Sequence, residues 1–392
     1  MRQTLRTASS KNVQPEMKQQ FAMIWAAVAF GLWACTANAD STTTADGFPK
    51  TLELGAAAPD FDLPGIDGNR HSLKDYAAAK ILMVVFTANH CKTAQAYEER
   101  LKQIVVDYKD KGLAVVAIAA NDPEALALSE MVYSDRGDSF EEIKVRAKER
   151  AFNFPYLYDG DTQATARVYG PVSTPHVFIF DEARKLRYVG RVDNAENPAE
   201  VKRRDAREAL DELLANKPVT VPKTRTFGCS IKWSEKRSFA RRELEQMEQE
   251  PVTLELADAA AIRALVKNDS PKLRLIDVWS KSCGPCLQEL PELVTMNRMY
   301  RNGSFEVVTI NADELSRTNQ VLAVLTAKKV ACRNYQFSGG DLDALAAAID
   351  PEWPGGFPFT ILVAPGGKLV GRQMGELDVM KFRKAIAYFP GR

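Results

Sequence analysis

The chain has 392 residues, 45% of them apolar and 26% charged, with 22 Gly and 20 Pro. That composition suits two or three globular domains and excludes a single small domain, a collagen-like repeat, a disordered chain or a polytopic membrane protein. Lys plus Arg is 52 against 51 Asp plus Glu, a net charge of +1, so no basic field marks a nucleic-acid surface, and proteins or small neutral molecules are the partners expected.

No charge occurs between Lys18 and Asp40, and Phe21 to Cys35 is almost wholly apolar. With Ala37-Asn38-Ala39 behind it as an A-x-A pattern, the segment reads as an export signal, for which Met17-Lys18 makes a natural start. The same stretch, 21–39, is long enough to remain as a membrane anchor, and Leu32-Trp33-Ala34-Cys35 resembles a lipobox, which would lipidate Cys35. A bacterial envelope or periplasmic location follows from each, with 1–39 as signal or anchor and 40–51 as a linker.

From Thr51 to about Lys217, apolar runs such as Ile81 to Phe86 and Leu113 to Ala120 alternate with helical periodicity such as Thr93 to Tyr108, which is α/β patterning. A second unit begins near Val252, with strand runs at Leu273 to Trp279, Phe305 to Ile310 and Phe359 to Val363. The domains predicted are 52–216 and 251–392. The connection 217–250 holds an extended Lys217 to Pro222 stretch, Cys229 and a charge-rich helix at Glu235 to Glu250. The two units repeat one plan: an apolar strand, a Cys at a helix start (Cys91, Cys283), then an X-Pro (Pro175, Pro358) before two more strands.

Six Cys in a chain of this length are too few for a disulfide scaffold, so their placement carries the meaning. Cys283-Gly284-Pro285-Cys286 follows a buried strand and opens a helix. A thiolate there meets free N–H groups and the positive end of the helix dipole, which lowers its pKa toward roughly 7. Cys283 is therefore the expected nucleophile, and Cys286, one turn on, the thiol that resolves its mixed disulfide. Pro285 is tolerated in the first turn.

With these residues, 252–392 resembles a thioredoxin-fold domain of the TlpA/ResA type. The resemblance implies that Asp277 is a buried proton-relay acid, Trp279 the first active-site tryptophan and Pro358 a cis-proline beside the disulfide. It also implies a reducing couple, near roughly −270 mV as in thioredoxin. Ser282 stands where an aromatic residue is common. Gly55 to Phe61, Leu73 to Asp75 and Phe154 to Asp159 resemble the redoxin group that includes AhpC/TSA peroxiredoxins, over 52–216. There Cys91-Lys92-Thr93-Ala94 lacks the second cysteine, Val85 stands in the place of Asp277, and the peroxiredoxin P-x-x-x-T-x-x-C pattern is not kept, since Thr87 lies four residues before Cys91 and Val84 takes the proline position. The fold implied is α/β, two tandem thioredoxin-like domains, each a three-layer α/β/α arrangement with a mixed central sheet.

His90 adjoins Cys91 and His176 follows Pro175, and in the folded unit the two should meet. They are either packing or solvated residues, a cationic influence on the Cys91 thiolate, or metal ligands beside Cys91. Cys229 either folds back to resolve Cys91 or is an unpaired thiol. Cys332, in a helix-compatible stretch, reads as inert.

The function expected is an exported thiol-disulfide oxidoreductase working through Cys283 and Cys286 on disulfide-containing client proteins. Its electrons would come from an unidentified membrane or envelope donor, with no cofactor, no metal and no nucleic acid. One alternative is a peroxidase using Cys91, with peroxide as substrate and the C-terminal domain as reductant. Another is a non-redox protein- or metal-binding N-terminal module.

Overall fold

The structure, a computed structural model, describes residues 47–390. The export segment, its A-x-A pattern, Cys35 and the linker up to residue 46 lie outside the described residues. Among the described residues no helix is long and apolar enough to cross a membrane.

A short antiparallel ribbon, β1 (Asp62–Pro64) with β2 (Arg70–Ser72), leads into the first sheet. All seven residues of β3 (Ile81–Thr87) are buried, as an unbroken apolar run at the centre of a sheet covered on both faces requires. Its side chains alternate between faces. Ile81, Met83 and Val85 pack in one apolar layer with Tyr97, Leu101 and Ile104 of α1 (Lys92–Tyr108), while Leu82, Val84 and Phe86 join Tyr169 and Phe178 in the other. Then follow β4 (Leu113–Ala119), α2 (Phe140–Glu149), β5 (Tyr156–Tyr158), α3 (Ala164–Tyr169), β6 (Ser173–Thr174), β7 (His176–Phe180), β8 (Leu186–Gly190) and α4 (Asp205–Leu214). The sheet runs β5-β4-β3-β7-β8, with β4 parallel and β7 antiparallel to β3.

The connection carries β9 (Cys229–Ser230) and α5 (Arg237–Glu248). The charge-rich run does form this helix, which buries only Met247. The second lobe repeats the plan with β10 (Glu255–Ala257), α6 (Ala259–Lys267), β11 (Leu273–Trp279), α7 (Gly284–Tyr300), β12 (Phe305–Asn311), α8 (Thr318–Ala327), β13 (Arg333–Phe337), α9 (Leu342–Ile349), β14 (Phe359–Val363), β15 (Leu369–Met374) and α10 (Val379–Ala387). Its mixed sheet runs β10-β13-β12-β11-β14-β15, again with apolar layers on both faces. Each lobe is thus a three-layer α/β/α sandwich of the thioredoxin kind.

One local expectation fails. Cys332 is not helical: α8 stops at Ala327, Lys329 turns into the left-handed region at φ +54°, and Val330 drops into the core.

The lobes pack into one compact unit. Leu126, Leu128 and Met131, from the segment after β4, enter the apolar layer built around α7. Tyr300 Oη donates to the Ser134 carbonyl at 2.8 Å. Tyr388 Oη donates to Asp135 at 2.9 Å and accepts from Arg146 at 2.9 Å.

Candidate active site

In the second lobe the buried strand β11 delivers the chain to a helix start at which Cys283 is the N-cap, in extended conformation. The N–H of Cys286 donates to Cys283 Sγ at 3.2 Å, so the cap is the sulfur itself. The two cysteines are joined as a disulfide, S–S 2.05 Å. Cys283 is partly exposed whereas Cys286 is fully buried. A thiol partner from outside therefore meets Cys283 first. Gly284 and Pro285 are exposed beside it, and a Cβ built on Gly284 would meet nothing within 4 Å, leaving open surface next to the sulfur. Pro358 follows a cis Phe357–Pro358 bond, and Trp279 is completely buried at the end of β11.

The same lobe buries a pair of acids on the strand and helix that flank the disulfide. Asp277 on β11 is fully buried, faces Thr360 across β14, and accepts its hydroxyl hydrogen at 2.9 Å. Glu289 is buried on α7, one turn beyond Cys286, and accepts the Leu377 N–H at 3.1 Å. The two carboxyls couple, and burial pushes both well above the usual range, Asp277 to about 7. Asp277 Oδ2 and Glu289 Oε1 are buried with no other hydrogen-bond partner among the described residues, so a proton shared between the two groups is the arrangement that satisfies them. Two buried acids that hold one proton can accept a second from, or return it to, a neighbouring thiol. The sequence reading missed Glu289. The signal was there: Cys286, Glu289, Leu290 and Leu293 fall at i, i+3, i+4 and i+7, which puts an acid on the buried stripe of the helix.

The loop before Cys283 is clamped by Asp313, which accepts Ser280 Oγ at 2.8 Å, the Lys281 N–H at 2.7 Å and Asn311 Nδ2 at 2.9 Å.

The first lobe has a counterpart. Cys91 caps α1, is completely buried, and accepts the Ala94 N–H at 3.4 Å. Asp138 clamps the preceding loop, accepting the N–H of Asn89 at 2.7 Å and of His90 at 3.1 Å, and Asn121 Nδ2 at 2.8 Å. Pro175 follows a cis Thr174–Pro175 bond. Cys229, on β9, pairs in register with Thr174 and packs against Cys91. The Cys229 N–H donates to Cys91 Sγ at 3.3 Å. As a thiol, Cys91 donates to the Thr174 carbonyl at 3.1 Å. Its pKa is drawn down to about 5, first by the hydrogen bond from the Cys229 side chain and then, against burial, by the Thr174 side chain and the N–H groups of Ala94 and Cys229. Cys229 moves the other way, far above the usual thiol range, because its proton is held toward Cys91 and because it is buried.

The two histidines differ in charge and partners. His90 Nδ1 sits 2.5 Å from Asp138 Oδ2. Burial alone would lower this ring's pKa, but the carboxylate holds it above the usual value, so its charge is committed to the loop clamp. His176 Nδ1 accepts the Val172 N–H at 3.2 Å, and burial pushes the ring down to about 3, leaving it neutral. The Cys91 thiolate adds to the rise of His90, while the largest influence on Cys91 itself is Cys229. Cys332 is held as a thiol, pushed up to about 12 by burial.

Residues 54–189 match the AhpC/TSA family. The chain is also similar to thiol-disulfide oxidoreductase ResA of Bacillus thuringiensis subsp. konkukian, 23% identical over 165 residues that cover 42% of this chain and 79% of that protein. This is a redoxin- and TlpA-like thioredoxin-fold protein. The chain is likewise similar to the thioredoxin-like protein YneN of Bacillus subtilis, 28% identical over 131 residues, 33% of this chain and 67% of that one. Among solved structures it is similar to an uncharacterized conserved protein from Geobacillus kaustophilus, 36% identical, covering 47% of this chain and 94% of that one with a TM-score of 0.42. A putative thiol:disulfide interchange protein DsbE from Chlorobium tepidum is 23% identical, covering 42% and 98% with a TM-score of 0.32. The protein is an oxidoreductase of the thioredoxin type.

Proposed function

We propose that this protein is exported and reduces disulfides in client proteins of the bacterial envelope through Cys283 and Cys286. The observation that carries this is the division between a partly exposed Cys283 and a fully buried Cys286, with the buried Asp277–Glu289 pair on the same strand and helix. With the pair reduced, the Cys283 thiolate attacks one sulfur of a client disulfide and the other sulfur leaves as a thiolate that takes up a proton. The Cys286 thiol, giving its proton to the shared carboxyl pair, then attacks Cys283 Sγ. The second client sulfur departs and is protonated, so two electrons have passed to the client and the Cys283–Cys286 disulfide remains. A dithiol donor on the envelope side must reduce it for the next turnover. Export is supported by the apolar 21–35 segment and its A-x-A pattern.

Reduction of insulin disulfides by the purified chain tests the assignment. Cys286→Ser is expected to cut steady-state turnover by at least about 10³-fold while still forming one mixed disulfide per chain. Full turnover in that variant would overturn it.

A further inference from the structure

We infer that Cys91 and Cys229 form a second redox couple, closed to an intramolecular disulfide by exchange with a small aliphatic disulfide such as oxidised glutathione. The helix that Cys91 caps has Ala94 where a resolving thiol would stand, and the chain supplies that thiol from 138 residues away. After α4 the backbone returns along β6, and the two-residue pairing Ser173 with Ser230 and Thr174 with Cys229 brings the two thiols together.

This seating is built into the chain. Gly228 sits at φ +123°, and a Cβ there would fall 2.0 Å from the Thr174 carbonyl oxygen, so only glycine lets β9 approach this closely. Cys91 is placed to accept two N–H groups when ionised and to donate to Thr174 when protonated. Each protonation state is therefore satisfied, as a sulfur that cycles between them requires. The roles are unequal: Cys91 carries the thiolate and Cys229 the proton. Complete burial of Cys91 under β9 limits the substrate. A folded protein cannot reach it, whereas release of a two-residue strand opens a path for a small disulfide.

In the step, the Cys91 thiolate attacks one sulfur of the small disulfide and the first thiolate leaves. Cys229 loses its proton to that leaving thiolate and attacks Cys91 Sγ. The second thiolate leaves and is protonated from solvent. Two thiols become one disulfide, and the oxidant becomes two thiols.

The couple is independent of the Cys283–Cys286 assignment and is tested without it. The full chain carrying Cys283→Ser and Cys286→Ser is equilibrated with oxidised glutathione, quenched by alkylation in denaturant, and mapped by mass spectrometry. The Cys91 and Cys229 peptides are expected to be joined, with one midpoint on titrating the glutathione ratio that Cys332→Ser does not move. Adding Cys229→Ser or Cys229→Ala is expected to leave a glutathione adduct on Cys91 at least about tenfold more abundant than in the parent. Both cysteines still open to alkylation after equilibration, or an equal adduct on Cys91 with and without Cys229, would overturn the proposal.

Discussion

The two lobes place a cysteine at the same point and surround it differently. In both, the sulfur caps the helix after the central strand, and a buried aspartate, Asp138 or Asp313, fixes the loop before it. Six residues upstream, β11 has Asp277 opposite Thr360, where β3 has Val85 opposite Val177. Three residues on, Cys286 corresponds to Ala94. Six on, the buried acid Glu289 corresponds to Tyr97, whose hydroxyl donates to Asp193 at 2.7 Å instead. The fold thus gives a helix-capping sulfur in both lobes, while the second thiol and the proton acceptor are separate additions. Lobe two carries them on its own strand and helix. Lobe one receives its neighbouring thiol from the connecting segment, and Val85 and Tyr97 stand where lobe two has its two acids.

The largest effect is expected when lobe two is made to resemble lobe one. Asp277→Asn with Glu289→Gln is expected to slow release of the mixed disulfide on the order of 10²-fold and to flatten its pH dependence. Attack by Cys283 should keep its rate, as rapid-quench kinetics can separate. Loss in the attack step alone would remove the acids from the relay.

The next effect concerns lobe one. Gly228→Ala forces a side chain against the Thr174 carbonyl, and is expected to cost about 2 kcal/mol in denaturant unfolding and to expose Cys91 to iodoacetamide. An unchanged midpoint with Cys91 still protected would show that β9 does not depend on the glycine.

A smaller effect follows from the carboxyl pair. In acid, folded and unfolded chains both hold these protons. As pH rises the unfolded chain releases them first, so wild type loses stability up to the raised native value, about 7 for Asp277. Asp277→Asn removes that loss and keeps an acceptor for Thr360. It is expected to melt higher than wild type above pH 7, by at least about 1 kcal/mol, with the gap closing near pH 4. A gap that widens in acid would contradict the burial argument.

The smallest effect lies between the lobes. The half-exposed Lys384–Glu149 pair, 2.8 Å apart, is expected to contribute under about 1 kcal/mol, so Lys384→Ala should barely move the melting temperature.

Much of this arrangement was legible in the sequence, because local signals report local structure. β3 and β11 announced themselves as unbroken apolar runs, and Cys283 and Cys91 as helix starts. Pro175 and Pro358 marked the return strands, and Asp277 entered only through the resemblance to thioredoxin domains. The contacts that cross the chain were not legible. No periodicity says that Cys229 pairs beside Thr174, that Asp138 accepts the N–H groups before Cys91, or that His90 gives its charge to that aspartate. Glu289 lay between the two cases: its place on the apolar stripe was readable, but its partnership with Asp277 needed the sheet register.

One consequence of the lobe packing is practical. Met131 is 6% exposed because α7 covers it, and Leu126 and Leu128 share that cover. Cutting the chain between its sheets would strip an oily surface from both fragments. Each half would then tend to stick to its neighbours in the tube, and a low yield or a sluggish thiol in a truncated protein would report the cut rather than the chemistry of the intact molecule.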